Sequence, residues 1–233
     1  MAYIKGGSYE PLYALISGKV EVPSFYIDKY PVTNYNFQQF LAVNPEWNKE
    51  NIKPVFADEN YLKHWKSAKG NSYYLDMKDK PVVYVSWYAA KAYCAYQGKT
   101  LPTIDDWEYV ARASETKEDA SNDDDFLQRL LSWYGTSSPN VLSDVGKGFK
   151  NVYGVYDMHG LVWEWNLDFL SALSIKDSRD GNNLDEGMFC GAGAGNSKTP
   201  KKYTAFMRYA TRSSLKANFC QPNLGFRCIK EIK

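Results

Sequence analysis

The stretch from Pro81 to Glu108 constrains the fold most, because the starts and stops of two helices can be read within it residue by residue. Val82 to Val85 is a short β-branched and aromatic run. Ser86 follows as a good N-cap, a side chain whose oxygen can accept from the free amides of a first helical turn. Trp87 to Gln97 then holds no breaker until Gly98, a residue that tolerates the left-handed conformation ending many helices. Thr103 is placed to cap again, with acidic residues at the second and third helical positions, where they accept from orphan amides and offset the helix dipole. The pattern predicts helices over Trp87–Gln97 and Ile104–Ala113.

Elsewhere the signals are shorter. Pro23 to Pro31 alternates aromatic and polar residues as a strand does, and Thr33 or Asn34 can cap a helix over Tyr35–Val43 with Phe37, Phe40 and Leu41 on one face. From Asn44 to Lys80 the chain reads as loops pinned by large rings, and His64 within it reads as exposed. The acidic stretch Glu115–Asp125 reads as a solvated loop, followed by a short helix over Phe126–Tyr134. Turn signals recur every few residues beyond that point and predict short strands joined by long loops.

Lys plus Arg number 28 against 27 Asp plus Glu, so no broad field favours a nucleic acid or an anionic membrane. No run approaches the roughly 20 apolar residues of a membrane span, and the first residues lack the profile of a leader. The reading is a soluble chain forming one domain over residues 1–233, with its compartment open, export after leader removal included. Four cysteines are too few for a disulfide scaffold, and none shows Cys-x-x-Cys zinc spacing. The glycines of Gly191-Ala-Gly-Ala-Gly195 lack the flanking strand and helix of a phosphate loop and read as tight packing or a wide turn.

Four strings arrive in one order: Tyr26-Ile-Asp-Lys-Tyr-Pro-Val-Thr-Asn34, Ser86 through Trp107-Glu108, Tyr153-Gly-Val-Tyr-Asp-Met-His-Gly-Leu-Val-Trp-Glu-Trp165, and Asn223-Leu-Gly-Phe-Arg227. Together they resemble the formylglycine-generating enzyme, or sulfatase-modifying factor, family from about Ile4 to Cys228. The resemblance implies an irregular α+β, C-type-lectin-like fold, with small antiparallel sheets, peripheral helices and many loops. It also implies a disulfide between Cys94 and Cys228. Trp87, Trp107, Trp163 and Trp165 read as core and groove-wall rings, Glu164 as a partner of backbone donors or Arg227, and His159 as a satisfied core or rim histidine. With two histidines in all, His64 and His159, the three-histidine iron centre of the sulfoxide-synthase relatives is excluded by counting.

The family's oxidase chemistry rests on two cysteines ahead of a basic strand, which here reads Ala205–Arg212. Counting back from Arg208 and Arg212 places those positions at about Thr199 and Thr204. A threonine hydroxyl is hard and weakly acidic and cannot replace a thiolate toward copper(I). Cys190 and Cys220 remain: either two separate buried thiols, or a pair converging on the groove as a relocated copper or redox site. For calcium, the resemblance points to Asn140, the Val141 carbonyl and Asp144, with a loop Asx-turn as the equal alternative. A second calcium set is damaged, because Leu161 stands where an amide oxygen is needed.

The leading functional expectation is an accessory-type member that binds a protein segment or small-molecule ligand in a groove lined by Trp163, Arg208, Arg212 and Asn223. The tyrosine-rich strand from Tyr203 to Tyr209 would add aromatic contacts. The rival is a copper-dependent oxidoreductase using Cys190 and Cys220, a link the resemblance suggests through relatives associated with copper nitrite reductases. A third option, a purely structural or partner-binding domain, predicts an exposed aromatic patch and no metal.

Overall fold

A computed structural model describes residues 1–11, 18–65, 75–135, 142–170 and 200–232. Its main sheet joins β1 (Ala2–Ile4), β4 (Phe25–Ile27) and β7 (Ile229–Glu231) in the order β1-β4-β7, with both pairings antiparallel. β2 (Gly7–Tyr9) and β3 (Val20–Val22) form an antiparallel pair, while β5 (Trp163–Glu164) and β6 (Leu224–Gly225) form a parallel one. Five helices accompany these strands among the described residues: α1 (Asn34–Val43), α2 (Trp87–Tyr96), α3 (Ile104–Ala111), α4 (Asp124–Tyr134) and α5 (Pro200–Ser213). The architecture is the irregular α+β arrangement expected.

The capping expectations hold at α1, α2 and α3. Thr33 rather than Asn34 caps α1, accepting from the Asn36 amide, and Ser86 accepts from the Ala89 amide. Thr103 and Asp106 complete a reciprocal capping box, and Gly98 takes φ +66° just past α2. Asn34 has a different task. Its buried side chain donates to the carbonyls of Met77 and Lys80 and accepts from Trp65 Nε1 at 2.8 Å, tying α1 to two loops.

Four expectations need correction. Residues 205–212 form part of α5, not a strand, and the tyrosines at 203 and 209 belong to the same helix. The acidic stretch ends in helix, because Asp123 caps α4 by accepting from the Phe126 amide, so α4 begins at Asp124. Helix α3 stops at Ala111, two residues short of the expected end. His64 is half-buried: its Nε2 lies 3.2 Å from Asn34 Oδ1 and its ring lies against Tyr84. Burial, then the charge of Lys49, lowers its pKa to about 4.

The largest core gathers Phe37, Phe40 and Leu41 of α1, Tyr93 and Cys94 of α2, and Trp165, Phe226 and Cys228. Within it Cys94 and Cys228 are bonded, with their Cα atoms 5.6 Å apart, as the resemblance implied. The bridge closes a sequence separation of 134 residues, which a chain-entropy view values at on the order of 5 kcal/mol. Gly225 cannot carry a side chain: a Cβ there would stand 2.7 Å from the Val82 carbonyl oxygen. That close approach lets β6 run beneath the segment leading into α2.

Candidate functional site

Three helices and the β5–β6 pair converge on a charged and aromatic cluster. Helix α3 presents Trp107 and Glu108, α4 ends in Trp133 and Tyr134, and α5 carries Arg208 and Arg212 one turn apart on one face. Both arginines grip Glu108. Arg208 Nε donates to Oε1 at 2.8 Å and Nη2 donates to Oε2 at 2.8 Å, while Arg212 Nη1 donates to Oε1 at 2.6 Å. Arg212 Nε also donates to Asn166 Oδ1 at 2.9 Å, and its guanidinium lies over the Trp107 ring.

The electrostatics follow from this crowding. Burial alone would push the Glu108 carboxyl up, but the two guanidiniums overcome it and hold its pKa down at about 2. Burial works against the charge of Arg208, yet Glu108 holds the guanidinium more firmly protonated than usual. Arg208 Nη1 also donates to Tyr134 Oη at 3.2 Å, and the Tyr134 phenol is pushed up chiefly by burial.

Tyr134 carries the cluster to the aromatic wall. Its ring stacks on Trp163 at 5.3 Å and 16°, and Trp133 meets the same indole at 5.2 Å. The Trp163 amide donates to the Asn223 carbonyl at 2.8 Å. Trp163, Asn223, Arg208 and Arg212, the four residues expected to line a groove, are thus linked through Tyr134 and Glu108. Those two linking residues were missed in the sequence. Arg-x-x-x-Arg spacing on a helix was the available signal for a shared partner, and it disappears when the segment is read as a strand.

A second ion pair lies behind the first. Trp107 Nε1 donates to Glu164 Oε2 at 2.8 Å, and Arg227 donates to both oxygens of the same carboxylate. Arg227 spends its remaining donors on the carbonyls of Asp28 and Tyr156. Glu164 is therefore the partner of Arg227. His159 lies beside this pair with its ring edge-on to Trp107 and its Nε2 2.8 Å from the Ala111 carbonyl, and burial lowers its pKa to about 3.

The remaining expected residues are dispersed or lie elsewhere. Thr204 is buried on α5 one turn before Arg208, whereas Thr199 and Cys190 fall outside the described residues. Cys220 is 3% exposed, and burial followed by the charge of Asp58 pushes its thiol up, away from the thiolate that copper(I) or redox chemistry needs. Asp144 forms an ion pair with Lys80 at 3.3 Å; Asn140 and Val141 lie outside the described residues. Leu161 is buried against Val83 and Val162, an apolar surrounding without an oxygen ligand from its side chain. Among the described residues no group of three or more His, Cys, Asp or Glu side chains is arranged to hold a metal ion, and no helix is long and apolar enough to cross a membrane.

Comparisons with known proteins place the chain and its fold. The formylglycine-generating enzyme of Mus musculus is 27% identical over 90% of this chain and 67% of its own length. The inactive C-alpha-formylglycine-generating enzyme 2 of Mus musculus is 28% identical over 90% of this chain and 76% of its own length. The solved structure of PvdO from Pseudomonas aeruginosa superposes with a TM-score of 0.54 over 99% of this chain and 93% of its own, at 22% identity, a likeness of fold. The chain thus spans about two thirds to three quarters of the length of these two mouse relatives. Residues 1–232 match the sulfatase-modifying factor enzyme 1-like domain, and the chain belongs to that family.

Proposed function

We propose that this chain is an accessory-type member of its family, a binding scaffold that does not convert cysteine to formylglycine. The observation that carries this reading is Thr204, a buried hydroxyl one turn before Arg208, where the family resemblance puts a reactive thiol. A hard hydroxyl does not fit copper(I), so no oxidase step is drawn through that position. What the cluster supplies is a rigid wall. The rings of Trp133, Tyr134 and Trp163 form an amphipathic surface, and the Glu108 clamp fixes α5 beside it. A protein segment or a small ligand with a flat apolar face is the fitting occupant.

The test is direct. The purified chain, loaded with copper(I) and supplied with oxygen and a cysteine-containing peptide, is expected to give no aldehyde product by mass spectrometry. Stoichiometric aldehyde would overturn the reading. The copper-dependent alternative through Cys190 and Cys220 requires thiolates, and the buried, protonated state favoured at Cys220 gives it no support. A copper(I) titration of the reduced chain against Cys190→Ser separates the two: stoichiometric binding abolished by that substitution favours the alternative.

A further inference from the structure

Away from the residues of the aromatic wall, a cleft of about 320 Å³ opens between the main sheet and the start of α3. That volume lies within the range of small-ligand sites. Its floor is apolar, made by Val22, Phe25 and Ile229, and Ile232 stands at its mouth with 48% of its surface exposed. Pro23, Ser24 and Thr103 complete the wall, and every charged side chain that lines it is acidic. Glu21 comes from β3, Asp105 and Asp106 from the first turn of α3, and Glu231 from β7. Among the described residues no basic side chain lines the cleft, in a chain whose acidic and basic residues number 27 and 28.

Local structure explains only part of this acidity. Asp106 is committed to the Thr103 capping box, and Asp105 accepts from Tyr9 Oη at 2.6 Å while facing the positive end of the helix dipole. Glu21 and Glu231 have no such duty among the described residues. They are exposed strand residues, from two different sheets, that border the same depression. Burial pushes the Asp106 carboxyl up, the hydrogen bonds from Thr103 oppose that, and the neighbouring charges of Asp105 and Glu231 raise it again. A positive charge entering the cleft would relieve this repulsion. The carboxylates do not form a metal-holding group among the described residues, and their spread over three elements suits an extended cation. An alkyl arm lies on the apolar floor while its charged end reaches the rim, as long basic side chains do on protein surfaces.

We infer that this cleft docks a lysine or arginine side chain of a basic peptide segment, with Val22, Phe25 and Ile229 under the alkyl arm and Glu21, Asp105 and Glu231 around the charge. The inference does not depend on the reading of the aromatic wall, since it uses other residues.

The experiment is a chemical-shift titration of the isotope-labelled full chain with a blocked peptide containing two lysines separated by glycine, in low salt, alongside spermidine at equal charge. Shifts are expected to concentrate at the amides of Ser24, Asp105 and Ile232, with Glu21→Gln combined with Glu231→Gln weakening the peptide about fivefold. Ile232→Ala is expected to weaken it further, because the arm loses apolar cover. Both glutamates are exposed, and each single substitution is read as well, so a double variant that fails to fold does not remove the answer. Absent shifts, shifts spread over other surfaces, or an affinity indifferent to the glutamates would overturn the site. Spermidine binding as tightly as the peptide would overturn the peptide assignment.

Discussion

Two glutamate–arginine clusters sit a single indole apart and differ in kind. Glu164 and Arg227 are sealed, with side-chain exposures of 1% and 0%, and each spends its hydrogen-bonding capacity on partners drawn from distant parts of the chain. Glu108 with Arg208 and Arg212 stays partly open, at 18% for the glutamate and 11% for each arginine, and carries one more positive than negative charge. The sealed pair fixes the architecture. The open one anchors a helix beside an aromatic wall and leaves an excess positive charge partly exposed.

The largest effect expected lies at the histidine packed against Trp107, the indole between the two clusters. His159 is buried and neutral, so as pH falls from its ordinary 6.5 toward about 3 the unfolded chain takes up a proton that the folded chain refuses. Stability is therefore expected to decline through that window by on the order of 5 kcal/mol, and denaturant unfolding of His159→Phe should lack this decline. An unchanged slope would show that the ring is not sealed.

Next in size, Glu164→Ala leaves Arg227 buried without its carboxylate and should cost about 4 kcal/mol in chemical denaturation. Glu108→Gln keeps the shape but leaves two guanidiniums uncompensated, for about 3 kcal/mol at neutral pH. Because the folded Glu108 pKa is depressed to about 2, its contribution is present above the ordinary 4.5 and lost as pH falls toward 2. The gap between wild type and Glu108→Gln should close over that interval. If Glu108→Gln costs more than Glu164→Ala, the open cluster is the architectural one and the contrast is reversed.

The smallest effect comes from a third pair, Arg129 with Glu115, which has bidentate geometry but exposures of 45% and 43%. Glu115→Gln should change stability by less than about 1 kcal/mol, and by nothing measurable in about 1 M salt, where screening acts within about 3 Å. A larger cost would mean that burial is not what ranks the three.

Legibility in the sequence tracks the range of the contact. The caps at Thr33, Ser86 and Thr103 bond to amides within three residues, so the starts of α1, α2 and α3 could be read locally. The disulfide spans 134 residues and was visible only through resemblance to a family. His64 was read as exposed because nothing near it announces Asn34, thirty residues away, as its partner. Helix α5 was hidden by its aromatic residues, which strands also favour, although Pro200 at its start and Ala205, Met207 and Ala210 within it suit a helix. Once that segment is helical, Arg208 and Arg212 share a face; their common partner Glu108, about a hundred residues earlier, is still a fact of tertiary structure alone.

Strand β4 has one consequence for biosynthesis. It is flanked by β1, close before it in the chain, and by β7, which lies far later in the sequence. While the polypeptide is being translated, β4 must wait with one edge of its backbone unsatisfied until Ile229–Glu231 leaves the ribosome. The three-stranded sheet is completed only once β7 has been made, and a product truncated before Ile229 would keep a sticky, unpaired edge.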